Sequence, residues 1–198
     1  MEEGAKGRWT QTPTPNPLDG NQELSSRGSG PNLITFNNLL ESMLQVVILM
    51  TGKTREAFIE EGLAFYGKRL KPFFGLLRKS VREEKDCKSL SAEVIKSREG
   101  DRLRAQIPPK AHVVALDPGG REFTTEEFAA WLAKREEDGR PLAFLVGGHL
   151  GLDEATKSRA QEKLALSRLT LTHELTRLVL LEQLYRAKTM LLGHPYHV

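Results

Sequence analysis

The sequence predicts an α/β domain built on a mostly parallel sheet flanked by helices. Three observations carry this. Short apolar, β-branched runs recur at Leu44–Met50, Ala111–Leu116 and Leu142–Val146. Longer segments with helical spacing alternate with them, and Gly- or Pro-containing turns separate the two. In chain order, Leu44–Met50 reads as a buried strand. Arg55–Leu70 reads as a helix capped by Thr54, with Phe58, Ile59, Leu63, Phe65 and Tyr66 as its apolar positions. Phe73–Val81 is a second strand, and Lys85–Lys88 a charged loop. Ser91–Gln106 is a polar helix stopped before Pro108-Pro109. Ala111–Leu116 is a strand closed by the turn Asp117-Pro118-Gly119-Gly120. Thr125–Glu137 is a helix with Phe128, Trp131 and Leu132 on one face, ended at Gly139. Leu142–Val146 is a strand running into Gly147-Gly148. A short helix from Asp153 to about Lys163, a tight stretch Leu166–Leu171 and a long helix from about Thr172 to Leu192 complete the pattern.

Residues 1–42 are set apart by composition. Up to Pro31 they are rich in Gly, Pro, Ser, Thr, Asn and Gln with no apolar periodicity, which predicts disorder; Leu33–Leu44 has at most a loose helical turn. The expected organisation is a disordered leader or non-native extension over 1–42 and one domain over 43–198. The leader holds three basic and five acidic side chains. Of the chain's 29 basic and 26 acidic residues, 26 and 21 therefore fall in the domain, whose net charge is +5. A basic domain suits a polyanionic partner. Charged residues are 28% of the chain and hydrophobic ones 39%, ordinary for a globular protein. The longest apolar run, Val46–Met50, is far too short to span a bilayer, and no signal peptide is visible, so the expectation is a cytoplasmic protein with no membrane partner.

The chemistry is sought where strands end. In open α/β sheets ligands bind outside the carboxyl ends of the strands. Three loops qualify: Leu116–Gly120, Gly147–Asp153 and Leu166–Leu171. Gly52-Lys53-Thr54 does not make a full Gly-x-x-x-x-Gly-Lys-Ser/Thr phosphate loop, since Val47 stands where its first glycine belongs, and a Gly-x-Ser-x-Gly elbow is missing. Cys87 is the lone cysteine and the histidines lack the His-Glu-x-x-His spacing, so no metal is expected. A chain of this kind can still catalyse by positioning a reactive cofactor.

Four segments, in order, become specific: Phe144–Leu152 (FLVGGHLGL), Leu166–His173 (LSRLTLTH), Leu180–Ala187 (LLEQLYRA) and His194-Pro195-Tyr196-His197. Together they resemble the ribosomal RNA large subunit methyltransferase H family, small members of the SPOUT class, over about Met43 to Val198. The resemblance implies a C-terminal trefoil knot, an exception to the rule that chains do not thread loops. It implies S-adenosylmethionine as cofactor, N3 of a pseudouridine in large-subunit ribosomal RNA of the assembled 70S ribosome as substrate, and a homodimer. Carried over by position, Leu116, Gly147, Leu166, Ser167, Arg168, Leu169, Thr170 and Leu171 bind the cofactor, with Leu116, Leu169 and Leu171 sandwiching the adenine. His197, Tyr196 and His194 form the catalytic group: an imidazole to take the N3 proton and a phenol to stack on the base. His149 stands where the family usually has proline and either lines the methyl-transfer site or faces solvent, the second being favoured; Thr172 also replaces a frequent proline. The tail ends at Val198, where relatives usually add a basic residue.

Arg177 and Arg186, a half-turn apart on the last helix, are expected to face different surfaces. Leu175, Leu178, Val179, Leu181 and Leu184 are expected to supply a dimer face. Lys68, Arg69, Lys71, Arg78, Lys79 and Arg82 are candidate phosphate contacts. Two other functions remain open on sequence: a non-catalytic ribosome-binding module of the same fold, separable by cofactor binding, and a knotted transfer RNA methyltransferase, separable by testing transfer RNA against ribosomes.

Overall fold

A computed structural model describes residues 43–85 and 90–194. Five parallel strands form its sheet: β1 (Gln45–Thr51), β2 (Gly75–Val81), β3 (His112–Arg121), β4 (Leu142–Val146) and β5 (Glu162–Leu164). Their spatial order is β2-β1-β4-β3-β5. The helices are α1 (Ala57–Leu70), α2 (Ala92–Arg104), α3 (Thr125–Asp138), α4 (Glu154–Arg159) and α5 (His173–Leu191). Side chains that alternate along each strand fill two cores. Val46, Ile48, Met50, Val114, Leu142, Phe144 and Val146 pack under α1, α3 and α5. Val47, Leu49, Val113, Ala115, Ala143 and Leu145 face Leu103 of α2 and Leu152. Both faces are covered, which is why the central strands read as unbroken apolar runs.

Four expectations are corrected. Thr54 does not cap α1; the N-cap is Glu56, with no side-chain cap. The amides of Arg55 and Glu56 instead donate to the Glu174 carboxylate of α5, at 3.1 Å, and Thr54 Oγ1 accepts from Arg177. A long-range carboxylate replaces the local cap, and sequence adjacency cannot show it. Second, β3 does not end at Leu116. The chain continues extended to Arg121, and Asp117–Gly120 form an irregularity: Leu116 and Arg121 both register with Leu164. Gly120 permits this, because a Cβ there would lie 2.6 Å from the backbone of Lys163 and Leu164. Third, the helix opened by Asp153 stops at Arg159, and 162–164 form β5. Gln161 ties both its backbone N–H and its side-chain oxygen to Val113 of β3, drawing the chain into the sheet. Fourth, Leu181 and Leu184 of α5 are buried within the chain's own core and cannot form a dimer face; Leu175, Leu178 and Val179 remain half-buried. The leader 1–42 and most of the Lys85–Lys88 loop lie outside the described residues. Among the described residues no helix is long and apolar enough to cross a membrane.

Candidate functional site

The three loops singled out above converge on one cavity of about 720 Å³ at the carboxyl edge of the sheet. Leu116 and Asp117 come from β3, Gly147–Leu152 from the loop after β4, Leu166, Ser167 and Leu169–Leu171 from the segment after β5, and His173 and Thr176 from the start of α5. The loop after β4 is held tight: Gly148 and Gly151 form a bridge, with the Gly151 N–H donating to the Gly148 carbonyl at 3.0 Å. In the third loop the Leu169 N–H donates to Ser167 Oγ at 2.9 Å, which turns the Leu169 side chain outward. Leu169 is 77% exposed at the cavity, an apolar group with no core to enter.

Of the residues expected to bind a cofactor, Leu116, Gly147, Leu166, Ser167, Leu169, Thr170 and Leu171 line this cavity. Arg168 does not: its guanidinium points into solvent and pairs with Glu122 at 2.9 Å. Of the expected catalytic group, Tyr196 and His197 lie outside the described residues. His194 is exposed just past the far end of α5, its N–H donating to the Thr189 carbonyl. The cavity meets the opposite end of that helix. Its 19 residues separate the two by ~28 Å at 1.5 Å per residue.

Several cavity groups escaped the sequence pattern. His173 lines the cavity, and burial, reinforced by the nearby Arg177 charge, pushes its imidazole below the usual histidine range. It is held largely neutral near pH 7, the form that accepts a proton. It closes the Leu166–His173 segment that carries the resemblance, directly after Thr172, which does cap α5, but no role was expected of it. His149 also lines the cavity, against the solvent-facing placement favoured for it. Asp117 is drawn upward by burial, but hydrogen bonds from Lys157 (2.7 Å) and the Gly119 amide outweigh this and hold it below the carboxylate range.

Behind the glycine loop sits a buried polar cluster. Arg177, 1% exposed, donates to the Thr51 carbonyl and to Thr54 Oγ1. Arg186, by contrast, pairs with Glu182 one turn back, so the two arginines do face different surroundings. Glu99 of α2 is 2% exposed; Oε1 accepts from the Glu84 N–H at 2.8 Å, while Oε2 lies against Gly148 without a partner among the described residues. Burial pushes this carboxyl above its ordinary value, against the pull of the Glu84 amide. The folded chain therefore keeps the Glu99 proton at pH values, from roughly 4.3 upward, where the unfolded chain has lost it. Stability from this group falls as pH rises through the folded value. Glu99→Gln cannot ionise, so it is expected to gain on the wild type as pH is raised from about 4 to 7. Urea unfolding at several pH values measures this, and a pH-independent difference would show that Glu99 titrates as if exposed.

The apolar, glycine-floored cavity on a five-stranded parallel sheet defines a ligand-binding α/β protein of the cofactor-dependent type. Residues 44–197 match the family model described as "Predicted SPOUT methyltransferase", and the chain belongs to this family. It is 41% identical over 154 residues to the ribosomal RNA large subunit methyltransferase H of Gemmatimonas aurantiaca, and 40% identical over 158 residues to that of Carboxydothermus hydrogenoformans. A protein of the same name from Bacillus pumilus is 40% identical over 158 residues. Each alignment covers 78% of this chain and 99% of the relative.

Proposed function

We propose that this protein is an S-adenosylmethionine-dependent methyltransferase of large-subunit ribosomal RNA, acting in the cytoplasm on N3 of a pseudouridine in the assembled ribosome. The observation that carries this is the convergence of the three strand-end loops on one cavity, in a chain whose relatives are named as methyltransferases of large-subunit ribosomal RNA. The cavity fits the cofactor. Its ~720 Å³ falls in the usual range for small-molecule sites. Leu116, Leu169 and Leu171 offer apolar faces for an adenine, and loop backbone supplies donors and acceptors at its edge. A trefoil knot made by the segment that carries Leu166–Leu171 belongs to the same proposal.

When bound, S-adenosylmethionine supplies an activated methyl group. The protein has two tasks beyond holding it: to orient the acceptor, which is worth several orders of magnitude, and to take the proton from N3, typically worth ~10²–10⁴-fold. His197 and His194 are the proposed proton acceptors, and Tyr196 the group that stacks on the extruded base. His194 stands a full α5 length from its own cavity, so as a proton acceptor it would serve the cavity of a second copy. That requires a homodimer. Half-buried Leu175, Leu178 and Val179 on α5, with Phe58 (64% exposed) and Phe65 (50%) on the adjacent α1, offer it apolar surface. Lys68, Lys71, Lys79 and Arg82 are proposed phosphate contacts. Arg69 and Arg78 are partly engaged, over the Phe65 ring and 3.7 Å from Glu60 respectively.

The test is methyl transfer from labelled S-adenosylmethionine to 70S ribosomes, separated subunits and transfer RNA. Label confined to large-subunit RNA of intact ribosomes is expected. Label on transfer RNA would move the substrate, and no transfer by folded dimer would leave a binding module. His197→Ala is expected to lower turnover by ~10²-fold or more with cofactor affinity unchanged; near-normal turnover removes it from the proton-accepting role.

A further inference from the structure

The charges around the cavity do not balance, and the imbalance has a place. Apart from the two imidazoles, three charged side chains line it: Lys96, Asp117 and Lys157. Asp117 and Lys157 neutralise each other at 2.7 Å, and Lys157 also meets Glu154 at 3.2 Å. Lys96 is different. It projects from α2, whose Leu103 packs on the opposite face of the sheet from Leu116 and Leu166, and it is half-buried. Among the described residues no carboxylate forms an ion pair with its ammonium; Glu93, one turn back on the same helix, only feels its charge at a distance. The cavity thus joins leucines from the β3 and β5 side to one unbalanced positive charge from α2.

We propose that Lys96 is the carboxylate receptor of this cavity, taking the α-carboxylate of the cofactor's methionine moiety. This rests on the proposal that the cavity holds S-adenosylmethionine. The adenine and the carboxylate are that molecule's two ends, so one apolar wall and one lone ammonium fix its direction. The amino-acid end lies on α2 and the adenine among the leucines. Lys96 is a specificity-determining group: it selects the amino-acid form over analogues that lack the carboxylate, and takes no part in the transfer itself. A charge-assisted hydrogen bond of this kind corresponds to about 10- to 100-fold in affinity.

The experiment is calorimetric titration of the full chain, as the dimer, with three probes: S-adenosylmethionine, its decarboxylated form, and 5′-methylthioadenosine. Wild type is expected to bind S-adenosylmethionine about 10- to 100-fold more tightly than the decarboxylated form. In Lys96→Met, a substitution of similar length, that gap is expected to close through loss of S-adenosylmethionine affinity, with the other two probes bound as before. Lys96→Arg is expected to restore much of it. A gap that persists in Lys96→Met overturns the assignment and places the carboxylate elsewhere, for instance at the start of α5. Equal weakening of all three probes also overturns it, since Lys96 would then shape the cavity and not read a charge. Wild type that binds none of the three defeats the cofactor site itself; wild type that binds the first two alike defeats only the role of Lys96.

Discussion

Arg177→Ala is expected to lower the free energy of unfolding by about 3 kcal/mol, the largest single-residue effect away from the hydrophobic core. The guanidinium is almost fully buried on α5 and joins the end of β1 to the loop before α1 through the Thr51 carbonyl and Thr54 Oγ1. Removing it strands the Thr51 carbonyl and deletes the charge with the largest coulombic hold on Glu174, whose carboxylate is committed to the amides of Arg55 and Glu56. Burying an uncompensated charge is what makes such deletions severe. Lysine is no substitute, because one ammonium cannot reach two acceptors in the fixed geometry of a guanidinium. Urea unfolding measures the loss. A value under about 1 kcal/mol would mean that water takes over these contacts and that the cluster is not structural.

Gly147→Ala is expected to weaken cofactor binding by at least about tenfold, with a loss of stability of about 1–3 kcal/mol. A Cβ at this position would lie 2.5 Å from the Gly151 carbonyl carbon, 2.7 Å from its oxygen and 2.9 Å from the Leu152 nitrogen. All three are backbone atoms, so no rotamer change relieves the clash. The loop must open, and that loop is one wall of the cavity. Gly67→Ala is the control. Nothing lies within 4 Å of a Cβ there, and the site is inside α1, so stability should rise slightly with binding unchanged. Titration with S-adenosylmethionine and urea unfolding of both variants decide the matter. Unaltered binding in Gly147→Ala would show that the ligand does not touch this loop.

Much of the fold was legible because the signals were local. β4 falls on its expected residues, and β1 lies within one residue of its expected ends, since strands buried on both faces write themselves as apolar runs. Ser91, Thr124, Asp153 and Thr172 cap helices where polar residues precede a helical pattern, and the Thr124–Glu127 pair forms a full capping box. The cavity loops were located by the same logic, from glycines and short irregular stretches at strand ends. The resemblance then named seven of the residues that line the cavity.

By itself, the sequence determined the α/β class, the order of most of the elements and which loops would line the cavity, because hydrophobic period and capping chemistry act over a few residues. Only the tertiary structure decided what long-range partners impose. Strand β5 is three residues long and exists because β3 offers it an edge. The cap of α1 comes from Glu174, more than a hundred residues away. Arg177 and Glu99 look like surface charges in a linear sequence, and become buried groups once α5 and α2 close over opposite faces of the sheet. Lys96 likewise stands out only when Asp117 and Lys157 are seen to cancel, since a charge balance belongs to a cavity and not to a stretch of chain.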